Sequence, residues 1–424
     1  MTPPKQVSAA SGRTLESTRS KEILRVAANL FGDMGYASTT MHDIGDAAGV
    51  LPGSLYHHFA SKEDIAIELL SEFYTELEEV VAARLAAARG RPEPGTRLLH
   101  DLVTDVVSIG LRHVGAIRLR AYEVPTTATH KLRELVKYQP AHLDRAWRQA
   151  VNAAKPLLRV PQVDPRLLRA TLHQLTLEIS QLLPPTADAA AVGEQLCRVL
   201  LHGLTPQCPP EEELDRSAAA RVAKEVIAGW RSGARGNPRD RLSSIIAVAR
   251  REFARRGYDA TTIRDIADAA GITMGTLYRN VGSKEALLAE ILRDYSTHLE
   301  SGIRRVLGTE STKTETLDAL GMLITHASRR FREEYNIVKL WPGGEQPGPV
   351  ADYFSETDRR LRLLIDFLAE GRREGSFDIE GEVDTTAILV RSIMWLPLDE
   401  SMRVSANRVH RFFRESVLRG AQAA

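Results

Sequence analysis

Thr273, Thr276, Tyr278 and Arg279 stand within seven consecutive residues, just beyond a glycine turn, and all four side chains can donate hydrogen bonds. Short hydroxyls, a flat phenol and a guanidinium in one short stretch suit contact with base edges and phosphates rather than bond-making chemistry. Arg279 is long enough to reach a guanine edge or a phosphate, and Gly275 leaves room for close approach of the backbone. Lys284 follows at the start of another helical stretch, where its ammonium and the helix N-terminus can both face a phosphate. Thr262 and Arg264, at the head of the preceding helix, complete this set of candidates.

Side chains of this kind need a rigid frame, and the periodicity predicts three short helices. Residues 241–256 place Leu242, Ile245, Ile246, Ala249 and Phe253 on one stripe, with Arg250, Arg251, Arg255 and Arg256 towards the C-terminal end. Thr261 or Thr262 is placed to cap the second helix, whose buried face is Ile263, Ile266 and Ala270. Gly271 permits a tight turn with φ above zero, and Thr273 caps a third helix of about two turns. Two short helices joined in this way are a helix-turn-helix, the second helix of which enters the major groove of DNA.

The whole arrangement occurs twice. FGDMGYASTTMHDIGDAAGVLPGSLYHHFASKE (31–63) aligns without a gap on FARRGYDATTIRDIADAAGITMGTLYRNVGSKE (253–285), at an offset of 222 and with roughly half the positions identical. The first copy therefore offers Thr40, Ser54, Tyr56, His57 and Lys62 as DNA-binding candidates, with Lys5 and Arg13 on the N-terminal tail as further contacts. The copies are unequal. Arg239 to Glu285 holds nine Lys and Arg against six Asp and Glu, a net of +3, whereas Arg19 to Glu63 holds four against five, a net of −1. Phosphate neutralisation supplies much of DNA affinity, so the second copy is expected to bind more strongly and Lys284 to matter more than Lys62. Leu51 and Pro52 replace Thr273 and Met274, which removes a cap, and Val281 stands where the first copy has Phe59. His57 and His58 are adjacent, so on a helix they point in different directions, and no Cys or carboxylate is spaced to join them; DNA or solvent contact is expected there, and no metal or cofactor.

The pattern GY-x-x-TT-x-x-DIA-x-AAG-I-x-x-G-T-LY-x-x-x-x-SKE resembles the TetR family of bacterial regulators, and it covers about 47 residues in each half. The resemblance implies an all-α fold, with each helix-turn-helix domain followed by a helical bundle that binds a ligand and dimerises. It implies a repressor of transcription released from operator DNA by a small molecule. One copy per chain is usual in that family, so the tandem is a departure. GSLYHHFASKE (53–63) is similar to actinobacterial regulators of lipid and steroid breakdown, which implies an acyl-CoA or another lipid-derived effector.

The remaining sequence fits two such units. At 424 residues the chain is too long for one core, and its 43% hydrophobic and 26% charged residues are ordinary for a globular protein. We expect a tail at 1–18, helix-turn-helix domains at 19–65 and 239–287, and helical domains at 66–204 and 288–424. A linker at 205–238 carries an amphipathic helix long enough to let the two halves pair as an internal pseudo-dimer; a homodimer of chains is the other arrangement. Helical periodicity runs through 65–88, 96–122, 131–158, 165–183 and 187–204, then 284–307, 314–337, 350–374, 383–396 and 406–419. His113, Arg118 and Tyr122 in the first half, with Arg120 beside them, and Tyr335, Trp341 and Trp395 in the second are candidate pocket residues. Cys197 and Cys208 read as free thiols. No stretch resembles a signal peptide or a membrane span, which points to the cytoplasm. No HExxH, GxSxG or Walker loop is present, so an enzyme is not expected. The rival reading is a helical interaction or ligand-binding protein in which one or both heads have lost DNA binding.

Overall fold

A computed structural model describes residues 9–36, 38–88, 95–121, 128–184, 186–233, 241–258, 260–339, 348–396 and 404–423. The fold is all-α. The first half contains α1 (Ala9–Asp33), α2 (Met41–Ala48), α3 (Pro52–His58), α4 (Lys62–Ala88), α5 (Arg97–Arg112), α6 (Val114–Ala121), α7 (His130–Lys137), α8 (Ala141–Ala154), α9 (Pro165–Glu178) and α10 (Ala189–Leu201). Two connector helices follow, α11 (Glu211–Arg216) and α12 (Ala218–Gly233). The second half contains α13 (Arg241–Arg256), α14 (Ile263–Ala270), α15 (Met274–Val281), α16 (Lys284–Leu307), α17 (Lys313–Arg330), α18 (Arg332–Lys339), α19 (Gly348–Arg373), α20 (Val383–Met394) and α21 (Ala406–Phe413), which runs on into a π-helical turn, Arg414–Leu418.

The expected tail is shorter than the sequence suggested: α1 begins at Ala9, so Arg13 lies on a helix, while Lys5 lies outside the described residues. Three single expected helices are each broken, the 131–158 stretch at Tyr138 to Pro140, between α7 and α8. The 96–122 stretch breaks at His113 into α5 and α6, and the 314–337 stretch breaks at Phe331 into α17 and α18. No proline marks either of the latter two breaks. Each of these two lets a short helix lie against the first helix of its own head, α6 on α1 and α18 on α13.

The chain divides into two compact units, and the division does not fall at the connector. One is built mainly of Met1–Glu79 and Arg112–Pro140. Its core joins Ile23, Ala27 and Phe31 of α1 to Ile44, Leu55, Ile65 and Phe73, all with no exposed surface. The other is built mainly of Val80–Leu111, Ala141–Lys339 and Gln346–Ala424.

Two features explain why the second unit takes in both halves. The first is α12, which is docked rather than free. Ala219, Ala220, Ala223, Val226, Ile227 and Trp230 form its buried stripe, and this face packs across α16 and α17. Trp230 meets Phe331 edge-on, with ring centroids 5.3 Å apart. A buried carboxylate secures the connector's other helix: Asp318 of α17 bonds His410 and Arg414, and Arg414 reaches out to Asp215 of α11 at 2.9 Å. These cations hold the Asp318 carboxyl down to about 2, against the burial that would raise it.

The second feature is direct packing between the halves. α9 and α10 lie against α20, and α10 also lies against the turn after α21. Gln195 donates from Nε2 to the Glu382 carbonyl and to Thr386 Oγ1, both at 2.6 Å. The chain ends of the two halves lace together: Leu204 N–H donates to Val417 O at 2.8 Å, and Ala421 N–H donates to Leu200 O at 2.9 Å. His202-Gly203 and Arg419-Gly420 face each other at this point, and a Cβ on either glycine would come within 2.3 Å of the opposing backbone. Both glycines have positive φ, 76° and 81°, so each is required twice over.

Candidate DNA-binding heads

Each head is held by the same internal devices. Thr40 and Thr262 are the N-caps of α2 and α14, and each forms a capping box with the Asp three residues on. Thr40 Oγ1 donates to Asp43 Oδ2 at 2.7 Å, and Thr262 Oγ1 to Asp265 Oδ2 at 2.6 Å. These bonds hold both carboxyls below the usual Asp range. The two threonines singled out as DNA candidates therefore already serve their own helices, although both remain exposed. The preceding Thr39 and Thr261 are fully buried and donate to the carbonyls of Gly35 and Gly257, at 2.7 and 2.8 Å. Gly49 and Gly271 close the turns with φ of 63° and 65°, as the tight turn demands.

Leu55 and Leu277 have no exposed surface and anchor α3 and α15 to the heads. The turned-out faces carry the expected polar set. Tyr56 and Tyr278 are 55% and 50% exposed, too much for core residues, and Ser54, His57 and Arg279 are exposed beside them. Thr273 caps α15, accepting from Thr276 N–H at 3.3 Å. Thr276 Oγ1 in turn lies 3.4 Å from Arg279 Nη2, which leans the guanidinium along the helix. Leu51 makes no side-chain cap and is 80% exposed, while Pro52 starts α3. His58 is not free for DNA in the same way as His57, since its Nδ1 lies 3.0 Å from Ser20 Oγ.

The lysines differ most from expectation. Lys62 Nζ donates to the carbonyls of Tyr36 at 2.6 Å and Thr39 at 2.7 Å, and sits 4.5 Å over the Tyr36 ring. Lys284 sits 4.1 Å over the Tyr258 ring. Both ammonium groups thus fasten the start of the fourth helix of each head to the loop after its first helix. The Tyr36 phenol is pushed up to about 12, first by burial and then by Glu63 and Asp64.

Charge is also spent internally in the second head. Arg250 pairs with Glu333 and Glu334 of α18, at 2.8 and 3.2 Å. Arg255 and Arg256 pair with Glu252, and Arg256 reaches Asp265. Arg251, Arg264 and Arg279 are exposed, so the net of +3 overstates what faces outward but leaves the sign unchanged.

The candidate pocket residues scatter. His113 Nε2 lies 2.6 Å from Glu76 Oε2. Arg118 lies along α1, so close that a Cβ on Gly32 would strike its guanidinium. Arg120 lies 5.9 and 5.7 Å over the rings of Phe73 and Tyr74. Tyr335 and Trp395 do come together, stacked at 5.5 Å and 11°. Tyr122 and Trp341 lie outside the described residues. Among the described residues no group of three or more His, Cys, Asp or Glu is placed to hold a metal, and no helix is long and apolar enough to cross a membrane.

Comparison with known proteins fits this geometry. The model of the bacterial regulatory proteins, tetR family, matches twice, at residues 23–69 and 245–291, again offset by 222. The HTH-type transcriptional repressor KstR2 of Mycolicibacterium smegmatis is 32% identical over 160 residues, 38% of this chain and 78% of that protein. The HTH-type transcriptional activator FasR of the same species is 31% identical over 124 residues, 28% of this chain and 57% of that protein. A solved structure of the ketosteroid transcriptional regulator KstR2 of Mycobacterium tuberculosis is 27% identical, with a TM-score of 0.36, over 42% of this chain and 92% of that one. The chain belongs to the TetR family, and it is a DNA-binding transcriptional regulator that carries the family's DNA-binding domain twice.

Proposed function

We propose that the chain is a repressor that grips its operator with both heads of a single molecule, its two halves pairing as an internal pseudo-dimer. The observation that supports this best is the laced contact of α9 and α10 with α20 and the turn after α21. Its two sides are related in kind. Each contributes a pair of helices, and each ends in a glycine that the other side's backbone approaches. A symmetric homodimer imposes its symmetry on DNA and needs a near-palindrome. A fused pair is free of that constraint, so the operator consists of two unlike half-sites, one read by Ser54, Tyr56 and His57 and the other by Thr273, Thr276, Tyr278 and Arg279.

Repression is the direction favoured by the similarity to the KstR2 repressors, 78% of whose length the matched segment spans in the Mycolicibacterium smegmatis protein. A small molecule in the helical domains releases the DNA, and the GSLYHHFASKE resemblance favours a lipid-derived one. Arg250 with Glu333 and Glu334 provides a contact through which α18 can bias α13. Footprinting over the DNA flanking the protein's own gene, with and without lipid thioesters, tests all of this. The expected result is one protected region with two non-identical half-sites, lost on addition of thioester. Absence of protection anywhere at low ionic strength would contradict it.

A further inference from the structure

Among the described residues the charges with almost no exposed surface are paired. Asp318 has His410 and Arg414, Glu334 has Arg250, and Glu415 has Arg419. Arg391 of α20 departs from that pattern. Burial pulls its guanidinium below the usual arginine range, and Tyr353, Asp358 and Tyr335 offset this only through longer-range attraction. Among the described residues no carboxylate lies within ion-pair distance of it. Its neighbour Arg360 is a useful contrast, because it donates to Ser296 Oγ at 2.7 Å and to Thr357 Oγ1 at 2.8 Å.

A second polar group nearby lacks a partner. Tyr295 of α16 has no exposed surface, and its hydroxyl has no partner in hydrogen-bond geometry, with the Tyr353 phenol close beside it. A buried donor left unmade costs about 1–3 kcal/mol, so such a group calls for an explanation. Around Arg391 and Tyr295 stand flat rings in two near-parallel pairs. Tyr335 and Trp395 lie at 11°, Tyr295 and Tyr353 lie at 16°, and Tyr295 meets Trp395 at 88°. Four helices, α16, α18, α19 and α20, supply Tyr295, Tyr335, Tyr353 and Arg391, and Trp395 ends α20. Burial pushes the Tyr335 phenol far up, yet Tyr335, Trp395 and Arg391 all keep some accessible surface.

We infer that Arg391 and the Tyr295 hydroxyl form the anion-recognising end of a ligand site walled by Tyr335, Tyr353 and Trp395, and that its occupant is a flat, ring-bearing organic carboxylate. The carboxylate supplies the missing counter-ion and the missing acceptor together, and the rings supply flat apolar walls for its body. This rests on the reading that the second half senses a small molecule, and it narrows that reading to one chemical class.

Tryptophan fluorescence titration of the full chain with 2-naphthoate, 2-naphthalenemethanol and octanoate tests it. The wild type should bind 2-naphthoate about tenfold or more tightly than either the neutral or the straight-chain probe. Arg391→Gln should lose about tenfold or more for 2-naphthoate and nothing for the alcohol. It should also leave the melting temperature of the ligand-free protein unchanged or raised, since it removes an unpaired buried cation. Tyr295→Phe, which removes only the hydroxyl, should lose less, and it decides the matter if Arg391→Gln does not fold. Equal binding of all three probes, no saturable binding of 2-naphthoate, or full affinity in both variants would overturn the inference. Operator binding, followed separately, keeps the two readings apart. Arg391-dependent 2-naphthoate binding without release of DNA would leave the site standing and remove its role as the effector switch.

Discussion

In the second head Thr273 caps the recognition helix and Arg279 projects from its exposed face. In the first, Leu51 stands at the cap position without a side-chain bond, and His57 occupies the place of Arg279. Beneath these differences the two frames match. The threonine–aspartate capping boxes, the left-handed glycines, the buried Leu55 and Leu277 and the lysines over Tyr36 and Tyr258 recur position for position. Divergence is thus concentrated in groups that face outward, while most of the groups that hold the head together have been kept. Two heads with a common frame and different reading faces are what a regulator of an asymmetric site requires.

If the frames are equivalent, removing the anchors should be equally costly. Leu277→Ala and Leu55→Ala should each destabilise their own head by about 2–5 kcal/mol, read by chemical denaturation with a probe in each head. A cost confined to one head would break the equivalence. The reading faces should respond unequally. Arg279→Ala should weaken operator binding by about 1–3 kcal/mol, and His57→Ala should cost less, since a neutral imidazole adds little to phosphate neutralisation. Equal losses in a gel-shift titration would erase the asymmetry.

The lysines sharpen the comparison further. As fasteners, Lys62→Ala and Lys284→Ala should each lower the melting temperature of the protein while leaving the salt dependence of operator binding unchanged. A fall of about one in the salt slope would instead mark a direct phosphate contact. The smallest effect concerns the cap. Thr273→Ala should cost about 1 kcal/mol of stability in the second head, and Leu51→Thr should add somewhat less to the first, because Pro52 already preorganises that helix start.

Much of the heads could be read from residue order, because their devices are local. Gly271 at the turn, Thr273 as a cap and the missing cap at Leu51 depend on neighbours within a few positions. The internal bonds of Lys62 are not legible in residue order, because its partners, the carbonyls of Tyr36 and Thr39, lie more than twenty residues away. Arg250, Arg255 and Arg256 contribute to the net of +3, but Glu252, Asp265, Glu333 and Glu334 pair with them. The cap at Thr261 or Thr262 is legible, and the aspartate three residues after Thr262, as after Thr40, singles out the capping threonine.

The connector and the pocket were harder. The amphipathic face of α12 was visible as a pattern, but a pattern does not name the surface that covers it, and α16 and α17 do so. Arg118 reads as a pocket residue beside His113, whereas its side chain lies against α1, since the break at His113 turns α6 towards the head. Arg391 and Tyr295 gave no signal in the sequence, because only the folded core reveals a polar group without a partner.

The pairing of two unlike heads within one chain is tested most directly by the mass of the purified complex with a single operator fragment, together with its footprint. One chain per fragment, protecting two non-identical half-sites, is the predicted result. Two chains per fragment over a symmetric site, each engaging DNA through the same head, would contradict it.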